Sequence, residues 1–252
     1  MTVPMCCIIQ AAYTDERLSR RRLEIAEHTS AVALRTQAVR PIVHIAVNPA
    51  DPCLADRQAL YESTGCEIRW LMRPAWNLYR EDWELPDGRK IVTRLDDDDV
   101  WPHDFCERTV SAAPAAGEHA LIWPRGYVWW RQTAYLLRHP GIQFVTLVTD
   151  QQTDPHQEQH WQYHRRWHSI TVSNDPGWLW IRHGDAATVT LPRYRQHPLR
   201  GIDSSRFRVN LRAITRALEP SGVPAANYHE RHASETLRHV LTENAKHAPS
   251  SP

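Results

Sequence analysis

At 252 residues, with 30 basic against 29 acidic side chains and a formal net charge of +1, the chain can bury the core of one substantial α/β domain. That balance excludes a global attraction to nucleic acid or to an anionic membrane surface. Five cysteines without CxxC spacing exclude a disulfide framework and a cysteine-built zinc site. No window approaches the roughly 18 apolar residues of a membrane span, and the opening MTVPMCCIIQAAY lacks a basic flank, so a soluble, cytoplasmic protein is expected.

In chain order, the apolar run 6–12 predicts a first strand. Thr14 and Asp15 then start a helix expected to continue to about Gln37, with Leu18, Ile25, Val32 and Leu34 along it. IVHIAV at 42–47 predicts a second strand, 52–63 a helix, EIRWL at 67–71 a third strand, and KIVTRL at 90–95 a fourth. Pro102 is expected in the first turn of the next helix, which carries Phe105, Thr109 and Val110. Segments 121–123, 127–130, 134–137 and 143–148 suggest short antiparallel strands. A polar helix over 155–167 follows, then strands at 169–172 and 178–182. A helix over 205–218 would display Phe207, Leu211, Ile214 and Leu218 on one face and Arg208, Arg212 and Arg216 on another. A short helix near 235–242 and a disordered tail over 246–252 complete the expectation.

The βα alternation of the first hundred residues predicts a largely parallel sheet with helices on its faces. Ligands of such sheets bind beyond the carboxyl ends of the strands. There the fourth strand runs into TRLDDDDVWP, residues 93–102, with four successive carboxylates. Adjacent like charges require full solvation or a cation between them. The position at a strand end, rather than in a low-complexity tail, favours the cation. Asp oxygens with one imidazole suit Mn²⁺ or Mg²⁺. The alternation directs Asp96 and Asp98 to one side, leaving Asp97 and Asp99 for hydrogen bonds. A late strand ends in His183-Gly184-Asp185, which supplies that imidazole.

Residues 160–216 hold ten arginines against Asp175, Asp185 and Asp203, and Trp161, Trp167, Trp178 and Trp180 lie among them. Rings beside cations are common in sugar and nucleotide sites, while core packing is the ordinary role of each tryptophan.

The strand-DxD-helix arrangement resembles the GT-A fold of nucleotide-sugar glycosyltransferases, and VTRLDDDDVWPHDF resembles the TRLDDDDA element of the rhamnosyltransferase family. LRTQAVRPIVHIAV at 34–47 (with Gln37), QHWQYHRRW at 159–167 and PGWLWIRHGD at 176–185 resemble further segments of that family, although Ala186 stands where the family usually has Asn. The resemblance implies a GT-A-like, Rossmann-type mixed sheet flanked by helices, with a C-terminal helical extension. Its domain would cover 1–190, divided into a nucleotide-binding half, 1–100, and an acceptor half, 101–190. The extension would cover 191–245. It implies Asp96, Asp98 and His183 as metal ligands. Tyr13, Arg94, Asp96 and Asp97 become the nucleotide side, with Arg94 either facing the diphosphate or pairing with an aspartate.

An inverting transfer needs a general base for the acceptor hydroxyl. Counting back from His183 in the manner of GT-A enzymes reaches Glu158 and His160, with Asp150 and Asp154 as further candidates. The donor expected is a nucleoside-diphosphate sugar. The acceptor is a hydroxyl on a glycan or small molecule, or on a polyanion such as a hydroxylated base in DNA. A metal-dependent phosphoesterase and a non-catalytic nucleotide-sugar-binding module are the competing classes.

Overall fold

A computed structural model describes residues 3–73, 83–130, 133–138, 144, 146–151, 166–182, 197–199 and 202–218. The expected helices over 155–167 and 235–242, the tail, and the expected site residues Glu158, His160, Asp154 and His183 lie outside the described residues, apart from Arg166 and Trp167.

The main sheet has the order β3-β2-β1-β4-β8-β5-β9. Its parallel half comprises β1 (Met5–Ala11), β2 (Ile42–Val47), β3 (Glu67–Met72) and β4 (Lys90–Arg94). The first, MCCIIQA, is apolar on both faces because it is central and covered on both. β8 (Thr146–Thr149) runs antiparallel to β4 and to β5 (His119–Ile122), and β9 (His168–Thr171) runs parallel to β5. A second sheet, β10-β6-β7-β11, joins β10 (Leu179–Arg182), β6 (Arg125–Trp130), β7 (Thr133–Arg138) and β11 (His197–Leu199). This is the expected α/β class with a mixed sheet. Among the described residues no helix is long and apolar enough to cross a membrane.

The helix expected over 15–37 is two helices, α1 (Glu16–His28) and α2 (Ser30–Arg35). Its start is as read, with the Asp15 carboxylate accepting from the Leu18 N–H at 2.8 Å. The break falls at Thr29, where ψ is −95°. The Thr29 and Ser30 hydroxyls both donate to the Asp97 carbonyl at 3.0 Å, so the kink turns the helix toward the aspartate run. α3 spans Leu54–Glu62.

Pro102 does not enter the following helix, α4 (Phe105–Ala112); it occupies the preceding turn, its carbonyl accepting from Phe105 N–H at 3.0 Å and from the Gln37 amide at 2.9 Å. The Gln37 carbonyl in turn accepts from Cys106 N–H at 2.9 Å. One buried glutamine therefore caps α4 from across the core.

The helix expected over 205–218 is also divided. α5 (Ser204–Phe207) ends at Arg208 in the left-handed region, φ 51°, and α6 (Leu211–Leu218) restarts with the Asn210 side chain accepting from Arg212 and Ala213 N–H at 3.1 Å. Arg208 therefore stands outside the helix that carries Arg212 and Arg216.

Tryptophan builds much of the core: Trp101, Phe105 and Trp123 stack in series at 4.4 and 5.3 Å, and Trp178 is fully buried against Phe144 at 5.8 Å. Two glycines make room for it. A Cβ on Gly126 would come within 2.0 Å of the Trp178 ring, and one on Gly177 within 2.3 Å of Trp123. Trp178 is thus a core residue, its indole N–H donating to the Trp123 carbonyl at 2.9 Å.

Candidate active site

β4 delivers the aspartates to the carboxyl end of the parallel strands, where the Leu95 N–H still donates to Ile8 of β1. The chain then turns, Asp99 N–H donating to the Asp96 carbonyl at 3.1 Å. Immediately afterwards Val100 forms an antiparallel bridge with Leu179, with bonds of 3.0 and 2.9 Å, which stitches the run to β10. Two segments about eighty residues apart in sequence thereby meet, and β10 ends beside the carboxylates.

The turn sends the four side chains to different partners. The Asp97 carboxylate is fully buried; it accepts from the Tyr13 hydroxyl at 2.7 Å and forms an ion pair with Arg22 of α1. Asp98 accepts from the other arm of Arg22 at 2.6 Å. Arg94 pairs with Asp96 at 2.7 Å, one of the two roles expected for it. Asp99 accepts from the Ile181 N–H of β10 at 3.1 Å.

Arg182, the last residue of β10, is 4% exposed and lies with its guanidinium 3.3 Å from the Trp180 ring centre. Three guanidiniums, Arg22, Arg94 and Arg182, thus face the four carboxyl groups of the run.

A second layer lies beneath. Tyr13 is flanked by Arg22 and Arg57, whose guanidiniums are 5.8 and 5.0 Å from its ring centre. Arg57 is fully buried and is held by Asp51 at 2.9 Å and by the Ser19 hydroxyl at 2.9 Å.

Burial pushes the Asp99 carboxyl well above the usual carboxylate range, and the charges of Asp98 and Asp96 push it further against the Ile181 N–H. Asp97 is raised by burial and opposed by Arg22. Burial works against the charge on Arg22 too, yet Asp97 and Asp98 hold its pKa above the ordinary value. Arg182 is lowered to about 10 by burial. The Tyr13 hydroxyl is raised by burial, so it donates.

One oxygen from each of Asp96, Asp98 and Asp99 lies within 4.8 Å of the other two. In an octahedral Mg²⁺ or Mn²⁺ site with bonds of about 2.1 Å, opposite oxygens are roughly 4.2 Å apart, so modest closure lets this trio share a hard cation.

The turn, rather than strand alternation, brings an oxygen of Asp96 near one of Asp98, and Asp99, expected to serve hydrogen bonding, lies with them. Tyr13 and Asp97 bond to one another in the interior network, the half-buried tyrosine with its hydroxyl turned inward. Asp150 does not join the site. It follows β8, whose Thr149 pairs with Lys90 at the start of β4, and it meets Arg89 at 3.4 Å at the opposite end of the sheet.

Arg22, Arg57 and Arg182, which hold or face carboxylates here, are not singled out by the motif spacing. A signal for Arg22 exists: it falls on the same α1 face as the buried Ser19, Ile25 and Ala26, where an arginine must find an anion.

No curated protein matches the chain. Among solved structures, S. aureus TarS 1–349 is similar at TM-score 0.49 and 8% identity, over 71% of this chain and 60% of that one. A 4-diphosphocytidyl-2C-methyl-D-erythritol synthase from Anaerococcus prevotii DSM 20548 is similar at TM-score 0.40 and 11% identity, over 68% and 87%. Mouse xyloside xylosyltransferase 1 is similar at TM-score 0.35 and 12% identity, over 66% and 77%. This chain thus spans less than two thirds of the TarS fragment. Residues 67–193, which include β4, the aspartate run and β10, match the family described as "Putative rhamnosyl transferase". That match covers half of the sequence, and the chain belongs to this family.

Proposed function

We propose that the protein is a metal-dependent glycosyltransferase that moves a sugar from a nucleoside-diphosphate donor to a hydroxyl acceptor. The observation that carries this reading is the convergence of Asp96, Asp98 and Asp99 oxygens within 4.8 Å at the carboxyl end of β4, in a chain of the rhamnosyl transferase family.

Asp96 and Asp98, joined by Asp99, hold Mn²⁺ or Mg²⁺. His183 completes the set, since it directly follows Arg182 at the end of β10. A divalent cation there would offset the charge of the departing diphosphate. The protein's own contribution is preorganisation. Arg22 fixes Asp98 from behind, the Ile181 N–H fixes Asp99, and Arg94 orients Asp96. With three guanidiniums facing four carboxyl groups, the site would be net positive with a divalent cation bound and would then attract a diphosphate. Tyr13, Arg94, Asp96 and Asp97 form the nucleotide side, Tyr13 and Asp97 through the network that holds the strand end. Glu158 or His160 serves as the base for the acceptor hydroxyl.

The test is calorimetric titration of Mn²⁺ with UDP, GDP and dTDP, followed by a panel of nucleotide sugars scored for hydrolysis without acceptor. Metal-dependent nucleotide binding in the wild type and its loss in Asp98→Asn are expected. Binding that survives in Asp98→Asn would sink the assignment.

A polyanionic acceptor, such as a hydroxylated base in DNA, is a second acceptor reading. Arg208, Arg212 and Arg216 support it, being exposed and without an ion-pair partner among the described residues. Retention on DNA that weakens steeply with salt would support it, whereas no retention leaves the glycan or small molecule.

A further inference from the structure

We propose that His119 and His168 form a separate, histidine-based metal site for a borderline divalent cation such as Zn²⁺, Ni²⁺ or Cu²⁺. The two are register partners on the parallel strands β5 and β9, and each is the first residue of its strand. Both strands run in the direction of β4, so this pair sits at the end of the main sheet opposite the aspartates.

The ring centres are 5.8 Å apart and the planes cross at 84°. A cation about 2.1 Å from one nitrogen of each ring holds two imidazole centres roughly 5 to 6 Å apart, which is the spacing found.

The tautomer of His119 is set by its surroundings. Its Nε2 lies 3.1 Å from the Ala116 carbonyl oxygen, which can only accept, so Nε2 carries the proton. The Nδ1 of the neutral ring is then a bare lone pair. That atom is buried and has no hydrogen-bond partner among the described residues. An unsatisfied buried acceptor is costly, and a histidine whose other N–H is tied to a backbone carbonyl is the arrangement in which imidazole commonly ligates metal. Gly117, at φ 76°, leaves room for the bonded corner of the ring, because a Cβ there would lie 3.1 Å from His119 Nε2. His168 is exposed and gives a cation a path from solvent. The neighbouring Glu118 accepts from the Thr149 hydroxyl at 2.6 Å, and water would complete the cation's remaining positions.

Two imidazole nitrogens and no carboxylate select the borderline metals over Mn²⁺ and Mg²⁺, the reverse of the aspartate trio. The bound cation would clip the edge strand β9 to β5 and stabilise the fold by mass action.

The experiment titrates the metal-free full chain with Zn²⁺ and, separately, with Mn²⁺. His168→Gln, a change at an exposed position, and His119→Gln are each expected to lose one equivalent of Zn²⁺ and the Zn²⁺-dependent rise in Tm, while Mn²⁺ uptake is unchanged. An unaltered number of Zn²⁺ equivalents in His168→Gln overturns the proposal, and so does loss of the same equivalent in Asp98→Asn. If His119→Gln fails to fold, His168→Gln alone gives the answer.

Discussion

Replacing Arg22 by Met retains most of the apolar stem and removes the guanidinium that bridges Asp97 and Asp98. Arg22 is 8% exposed, Asp97 0% and Asp98 7%, so neither carboxylate can recover water without local opening. Deleting one partner of a buried ion pair costs about 3 to 5 kcal/mol, because the stranded charge keeps its desolvation penalty. For a chain of this size that corresponds to a fall in Tm of roughly 6 to 20 °C.

The loss should depend on pH. Burial already raises the Asp97 carboxyl, and without Arg22 it rises further. A carboxyl with a raised folded pKa is at least cost while protonated in both states, below the unfolded value of about 4, and loses stability as pH rises through its folded value. Arg22→Met should therefore be mild near pH 4.5 and severe at pH 7.5. Urea unfolding followed by tryptophan fluorescence at both values measures this, and Asp97→Asn in the Arg22→Met background should recover part of the loss at pH 7.5. A destabilisation below about 1 kcal/mol at pH 7.5, or one independent of pH, would refute the view that Arg22 neutralises the strand end.

Two further outcomes follow from the same geometry. Because burial and neighbouring carboxylates raise Asp99, Mn²⁺ must displace its proton, so affinity should rise with pH and binding should release a proton; Asp99→Asn should flatten that dependence in calorimetry run in two buffers. Gly126→Ala would press a methyl into the Trp178 ring and should destabilise the protein by roughly 1 to 3 kcal/mol or more, read as a lowered urea midpoint; an unchanged midpoint would mean the core around Trp178 can shift freely.

The strands of the parallel half, the start of α1 and the placing of the aspartate run at a strand end are legible in the sequence. Those follow from local rules: apolar runs bounded by turn residues, a capping aspartate, and carboxylates at a strand end. It also fixed which residue types could meet a hard cation. Tertiary structure decided the rest. Whether α1 continues past Thr29 depends on the Asp97 carbonyl, nearly seventy residues away, and the end of α5 at Arg208 depends on a left-handed turn that no periodicity encodes. The four aspartates are identical in the sequence and become different only through their partners. Asp97 is claimed by Arg22 and Tyr13, Asp96 by Arg94, and Asp99 by a β10 amide that arrives through the Val100–Leu179 bridge. Their division of roles is set by which charges and N–H groups the fold brings within about 3 Å, a long-range property that spacing along the chain does not contain.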